Sequence, residues 1–263
     1  MMKKTIISMC AVLTATAFTA CSNEVDMFQP IGTGSATIDL NVSNNDEISV
    51  GTRAVTTVAD LASWTAVVTK TGETSEAMKA SEVGSKTYKA NDKVTVKVSN
   101  YADLAAAMPA SEAGAAYYEG TSEEKTLSKG ANEMAIACGT AKNCRVKATW
   151  TETDDLKITS ISTSQSGDNT SRSYTFSENG KTAYYYAGAE ISYTVNYTFK
   201  SEVKTVTKTI STPAAATEYG LNVVSNENGS ITLTVTYNDE FAAGEKTTTT
   251  IDAVTGEEAT QNN

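Results

Sequence analysis

The sequence predicts an all-β chain of two tandem β-sandwiches, transthyretin- or immunoglobulin-like in type, with short helical excursions. Three observations carry this. The chain is rich in Thr, Ser, Val and Tyr and holds only 3 prolines, and β-branched and aromatic side chains suit a pleated, half-buried surface. Apolar residues recur with period two in segment after segment. The 263 residues and 40% hydrophobic content supply chain and core enough for two ordinary domains.

Taken in order, Ile38, Leu40 and Val42 alternate with Thr37, Asp39 and Asn41, and Trp64, Ala66 and Val68 follow. Val94, Val96 and Val98 then stand against Lys93, Thr95 and Lys97. The clearest strand is Ile191-Tyr193-Val195-Tyr197-Phe199, alternating with Ser192, Thr194, Asn196 and Thr198. One face of it must lie on a core and the other on water. After Lys200-Ser201-Glu202 the chain is expected to return through Val203 to Ile210 as a hairpin. A last strand, Ile231-Leu233-Val235-Tyr237, follows the turn signal Asn226-Glu227-Asn228-Gly229.

Helical signals are few. Tyr101 to Met108, with Asp103 and a run of alanines, predicts one or two turns ended by Pro109. Residues 56–62 are expected to form another. A short polar connector, Thr140 to Asn143, is taken to divide residues 32–140 from 141–253, leaving 254–263 as a solvated tail. No strict repeat of about 20–50 residues suggests a solenoid.

Residues 1–20 read as a lipoprotein signal peptide. Lys3 and Lys4 supply the positive flank and Thr5 to Phe18 the apolar run, which is too short to span a bilayer as a permanent helix. Phe18-Thr19-Ala20-Cys21 resembles a lipobox, with Phe18 where Leu or Val is usual, and makes Cys21 the expected lipidated first residue. At roughly 0.8 kcal/mol per buried methylene, two or three acyl chains hold a domain durably on a membrane. Residues 21–31 then form an acidic tether. Its start, Ser22-Asn23-Glu24-Val25-Asp26, resembles the stretch that follows the lipidated cysteine in surface-exported lipoproteins. The expected location is the outer membrane, facing the cell surface, with the periplasmic face as the alternative.

Charge and composition narrow the partners. Loss of Lys3 and Lys4 with the signal peptide moves the formal charge from −10 to −12. Such a chain is a poor nucleic-acid ligand, because phosphate neutralisation needs clustered cations. Anionic head groups would repel it, so the acyl anchor must hold it at a membrane. Histidine is absent, which removes the usual general base, the Ser-His-Asp and Cys-His mechanisms and most zinc sites. Neither an enzyme nor a cofactor is expected.

The remaining motifs each carry two readings. Cys138 and Cys144, with five residues between them, could pair in an exported protein. A disulfide over so short a loop stabilises by at most about 2–3 kcal/mol. Equally, both could be small apolar residues in a core. The runs Tyr117-Tyr118 and Tyr184-Tyr185-Tyr186 offer an aromatic platform for a sugar, although neighbours on a strand point to opposite faces, so at least one ring per pair is expected in the core. The acid pairs Asp154-Asp155, Glu123-Glu124 and Asp239-Glu240 read as solvated turns, and no calcium-loop spacing is present.

Residues 115–145 carry a resemblance: AAYYEGT, then TLSKGANEMAIACGTAKNCR. They resemble an uncharacterised Bacteroidales lipoprotein family with a tyrosine-tyrosine-x-glycine-threonine element, a strand ending in cysteine, and a lysine- and valine-bearing strand. Gly84-Ser85-Lys86-Thr87-Tyr88-Lys89-Ala90 resembles that family's glycine-x-tyrosine lead-in to a strand. Cys144 has no counterpart there. More distantly, the chain resembles fimbrillin-like adhesins, lipoproteins of two transthyretin-like sandwiches. That likeness implies cleavage after an arginine, opening a groove for a neighbour's donor strand. Gly51-Thr52-Arg53-Ala54 then makes Arg53 the candidate processing site, against the plainer reading of an exposed loop arginine.

The resulting expectation is a non-enzymatic surface lipoprotein serving in adhesion or in a surface appendage, with a protein or glycan partner. The alternative is a carbohydrate-binding accessory of a glycan-uptake system, with Trp64, Tyr117 or Tyr118 stacking on sugar rings.

Overall fold

The structure, a computed structural model, describes residues 34–45, 55–58, 61–167, 171–225, 230–239 and 246–252. The signal peptide, Cys21, the tether, Arg53, the turn 226–229 and the tail 254–263 lie outside them.

The chain lays down β1 (Ser35–Asn45), β2 (Val55–Thr57), β3 (Thr65–Lys70) and β4 (Glu76–Lys79), then a 3-10 helix (Ala80–Ser85). It continues through β5 (Tyr88–Lys89), β6 (Lys93–Ser99), α1 (Leu104–Ala107), β7 (Glu119–Thr121), β8 (Lys125–Thr126) and β9 (Gly130–Ala137). Next come β10 (Asn143–Thr151), β11 (Leu156–Gln165), β12 (Arg172–Phe176), β13 (Thr182–Tyr186) and β14 (Ile191–Phe199). The final strands are β15 (Glu202–Ile210), β16 (Thr217–Ser225), β17 (Ser230–Asp239) and β18 (Lys246–Asp252).

The strands form two sandwiches. In the first, β1 lies parallel to β9 and antiparallel to β2 and β5, and the facing sheet runs β4-β3-β6-β7 with β8 beside β6. Ile38, Val68, Val96, Leu127 and Ile136 fill the space between. In the second, the order β13-β10-β16-β17-β18 contains one parallel pair, β10 and β16, and faces the antiparallel sheet β12-β11-β14-β15. Val146, Ile161, Tyr185, Tyr197 and Leu221 fill that core. The first core draws on residues between Ala36 and Ala141, the second on residues between Cys144 and Ile231.

Alternation places the side chains as period two demands. Ile191, Tyr193, Val195, Tyr197 and Phe199 on β14 are all buried and the residues between them half-buried. Burying each such side chain stabilises by about 1.5–3 kcal/mol. The return to β15 is a two-residue loop in which Lys200 (φ 47°) and Ser201 (φ 70°) are both left-handed, the type I′ geometry that matches strand twist. At α1, the Ala106 N–H donates to Asp103 Oδ1 at 2.7 Å, an N-cap, and the helix ends at Ala107, with Met108 as its C-cap directly before Pro109.

The described residues of the expected 56–62 helix, 56–58 and 61–62, are not helical. Val55–Thr57 pairs with Ser43–Asn45 as an edge strand, because β-branched residues lose little beside a ready-made strand and much in a helix. The 3-10 helix, with Ala80 and Val83 buried at a spacing of three, and β18 beyond the last expected strand were not legible in advance. Among the described residues no helix is long and apolar enough to cross a membrane.

Candidate functional site

The tyrosine-tyrosine-x-glycine-threonine element sits where the two sandwiches meet, and its first four residues each have a structural task. Tyr118 packs in the first core. Tyr117 faces the other way, into a small cluster with Ala107 and Met108 that Tyr184 and Tyr186 of the second sandwich join. The Tyr117 hydroxyl donates to Glu119 at 2.9 Å, and burial, then Glu119, pushes it up to about 12. Lys97 pairs with the same carboxylate at 2.6 Å and chiefly holds it below its ordinary range. At Gly120 a Cβ would lie 2.6 Å from the Ala137 carbonyl oxygen, so only glycine lets β7 and β9 approach this closely.

Asn143 clamps the junction. Its Oδ1 accepts from the Tyr117 N–H at 3.1 Å and its Nδ2 donates to the Ala115 carbonyl at 2.8 Å. The segment after α1 forms a strap across the second sandwich. The Ser173 N–H of β12 donates to Ala110 and the Tyr184 N–H of β13 to Ala113, each at 2.8 Å. Arg172 Nη2 donates to the Glu112 carbonyl. Its guanidinium lies over the Tyr185 ring at 4.9 Å, and burial lowers its pKa. Nε and Nη1 have no hydrogen-bond partner among the described residues. Beneath it the Tyr185 and Thr163 hydroxyls share a hydrogen bond.

The predicted site residues are not brought together into one site. Trp64 and Tyr118 are buried in the first core and Tyr117 in the junction, at 7%, 7% and 4% exposure, so none presents a ring face to a sugar. Cys138 and Cys144 are both free and buried, and the disulfide is not formed. Alternation explains why: Cys138, just after β9, continues its inward face into the first core, and Cys144, second in β10, points into the second. Burial pushes the two thiols up to about 11 and about 12, so neither is a thiolate near neutrality. The Cys144 thiol donates to the Tyr185 carbonyl at 3.4 Å.

An open groove of ≈ 450 Å³ runs between β7 and the end of β9, with Lys97, Glu119, Cys138 and Lys142 among its walls. Asp154, Asp155, Glu123 and Glu124 are exposed, and Glu124 accepts from Thr71 at 2.8 Å; Glu240 lies outside the described residues. Among the described residues no group of three potential metal ligands forms. Sequence reasoning missed Asn143 and Arg172, since a lone Asn or Arg carries no signal until the strap is in place.

No protein-family model matches the chain, and no curated protein does. Its sheets are similar to those of a solved fimbrial assembly protein of Parabacteroides distasonis, with TM-score 0.44, 11% identity, and 82% of this chain and 97% of that one covered. An inferred cell adhesion protein of Bacteroides ovatus aligns with TM-score 0.43 and 11% identity, over 77% of this chain and 96% of that one. A similarly described protein of Bacteroides fragilis gives 0.41 and 12%, over 76% and 96%. The likeness is one of sheet architecture.

Proposed function

We propose that the chain is an adhesion-type surface protein, or a component of a surface appendage, that binds rather than catalyses and is held at the outer membrane by lipid on Cys21. The observation that carries this is the junction. Two sandwiches are joined by main-chain hydrogen bonds from the 110–113 strap to both β12 and β13, with buried Asn143 fastening Ala115 and Tyr117 just beyond it. A joint of this kind lets an anchored chain pass load from its membrane end to an external partner without hinging between the sandwiches. The lipobox ending in Cys21 supports the anchor. The aromatic sugar-platform alternative is not favoured, because Trp64, Tyr117 and Tyr118 are inside.

Feeding cells a palmitate analogue tests the anchor: the wild-type chain takes up label and Cys21→Ser does not. Protease shaving of intact cells should remove the chain, and its deletion should lower adherence to a substratum. Unlabelled wild-type chain, or adherence unchanged on deletion, would sink this reading.

A further inference from the structure

Among the described residues, the outer face of the sheet β12-β11-β14-β15 carries a broad uncharged patch. Strand registers align Thr175, Ser162, Thr194 and Thr207 in one row across the four strands. The next row in one direction is Ser160, Asn196 and Thr205, and in the other Ser173, Ser164, Ser192 and Thr209. All are half-buried or exposed, and no charged side chain interrupts the three rows. Other outer faces carry ions: Lys97 with Glu119 on the sheet of β6, Arg145 with Glu218 on that of β10, and Asp39 in register with Glu133 on that of β1.

We propose that this face is a binding surface for an extended, neutral polysaccharide. Its side chains are held in place by one another. Thr194 and Thr207 share a hydrogen bond of 3.0 Å, Thr205 donates to Asn196 Oδ1 at 2.7 Å, and Asn196 Nδ2 donates to Ser160 at 2.9 Å. A hydroxyl has one donor and two acceptor sites, so these contacts use part of its capacity and leave the rest outward. Threonine is also stiff at χ1, so little side-chain freedom remains to be lost on binding.

Spacing and area select the partner. Strands lie about 4.8 Å apart and alternate residues about 6.7 Å apart along each, which makes a flat, regular lattice of hydroxyls. A patch of four strands by three rows covers on the order of 400 Å², about half of what a stable protein contact buries on each side. A second copy of this acidic chain is therefore poorly served by it. A polymer of uncharged sugars presents hydroxyls along its whole length that such a lattice can bond, and many anchored copies gripping one polymer add avidity to a weak single contact. The inference rests on the adhesion reading and names what the adhesin grips.

The test uses the full chain in detergent, run through gels containing dextran, mannan, xyloglucan or, as the acidic control, polygalacturonate. At least one neutral polymer should retard the wild type, with little change between about 0.05 and about 0.5 M salt, since no charge pair is involved. The combined Thr194→Val, Thr205→Val and Thr207→Val variant keeps the β-branched shape and should lose about tenfold or more in affinity. Thr207→Lys, on an exposed edge position, should do the same without touching the core. No retardation by any neutral polymer overturns the proposal, as does equal retardation of both variants, or retardation by polygalacturonate alone. A wild-type dimer in light scattering that the triple variant dissolves assigns the face to a second copy and equally overturns it. Adherence of cells that persists in the triple variant, with polymer binding unchanged, discards this surface and leaves the adhesion reading standing.

Discussion

Asn143 is 1% exposed, and its carboxamide answers one main-chain donor, at Tyr117, and one acceptor, at Ala115. Asn143→Ala would leave the buried Tyr117 N–H and the half-buried Ala115 carbonyl unpaired, which should cost about 1–3 kcal/mol in urea unfolding; a loss below about 0.5 kcal/mol would show that water replaces the amide. The buried acids set a pH dependence. Burial raises Cys144 from 9.0 to about 12, Cys138 from 9.0 to about 11, and Tyr185 from 10.0 to about 12. A group whose pKa is higher folded than unfolded contributes stability below its unfolded value and loses it as pH rises through the folded one. The urea midpoint should therefore hold up to pH ≈ 9 and fall between there and pH ≈ 12, and Cys144→Val should make that fall shallower. None of this was legible from residue identity. Cys138 and Cys144 are close in sequence, yet strand alternation sends each into a different core, which local spacing cannot reveal.

At the scale of elements, period-two patterning found β1, β3, β6 and β14 because each buries one face along its length, and the turn after β14 announced β15 as its hairpin return. It failed at Val55–Thr57, where the neighbouring β1 decides the conformation, and at the 3-10 helix, whose two buried residues are too few to make a period. The β14–β15 hairpin carries a removable strain. Ser201 sits at φ 70°, where glycine has no steric penalty. Ser201→Gly should stabilise the chain by about 0.5–1 kcal/mol, read as a higher thermal midpoint; an unchanged or lower midpoint would mean the loop is not held as described. Edge β15 is defended too: Lys204 and Lys208 share the strand face that carries Val206 and Ile210, a device that discourages pairing with another chain.

The whole molecule is two cores and one joint. Because the 110–113 strap bonds to β12 and β13, the sandwiches should unfold together, giving a single endotherm in calorimetry. Combining Asn143→Ala with Arg172→Ala removes the clamp and the Arg172 contacts to the strap, and should split the transition in two. A single transition persisting in that double variant would mean that the cores are coupled elsewhere.

What the sequence determined alone is whatever depends on neighbours along the chain: the alternation that makes strands, the charge balance that disfavours nucleic acid, and the lipobox pattern at Cys21. Tertiary structure decided everything that depends on which strands become neighbours. It turned Tyr117, Tyr118 and Trp64 inward, separated the two thiols, and set Asn143 and Arg172 at a joint. It also aligned polar residues from four strands into one uncharged face. The physical reason is common to all of these: a strand's own sequence says which side chains share a face, but only sheet register and packing say what that face meets.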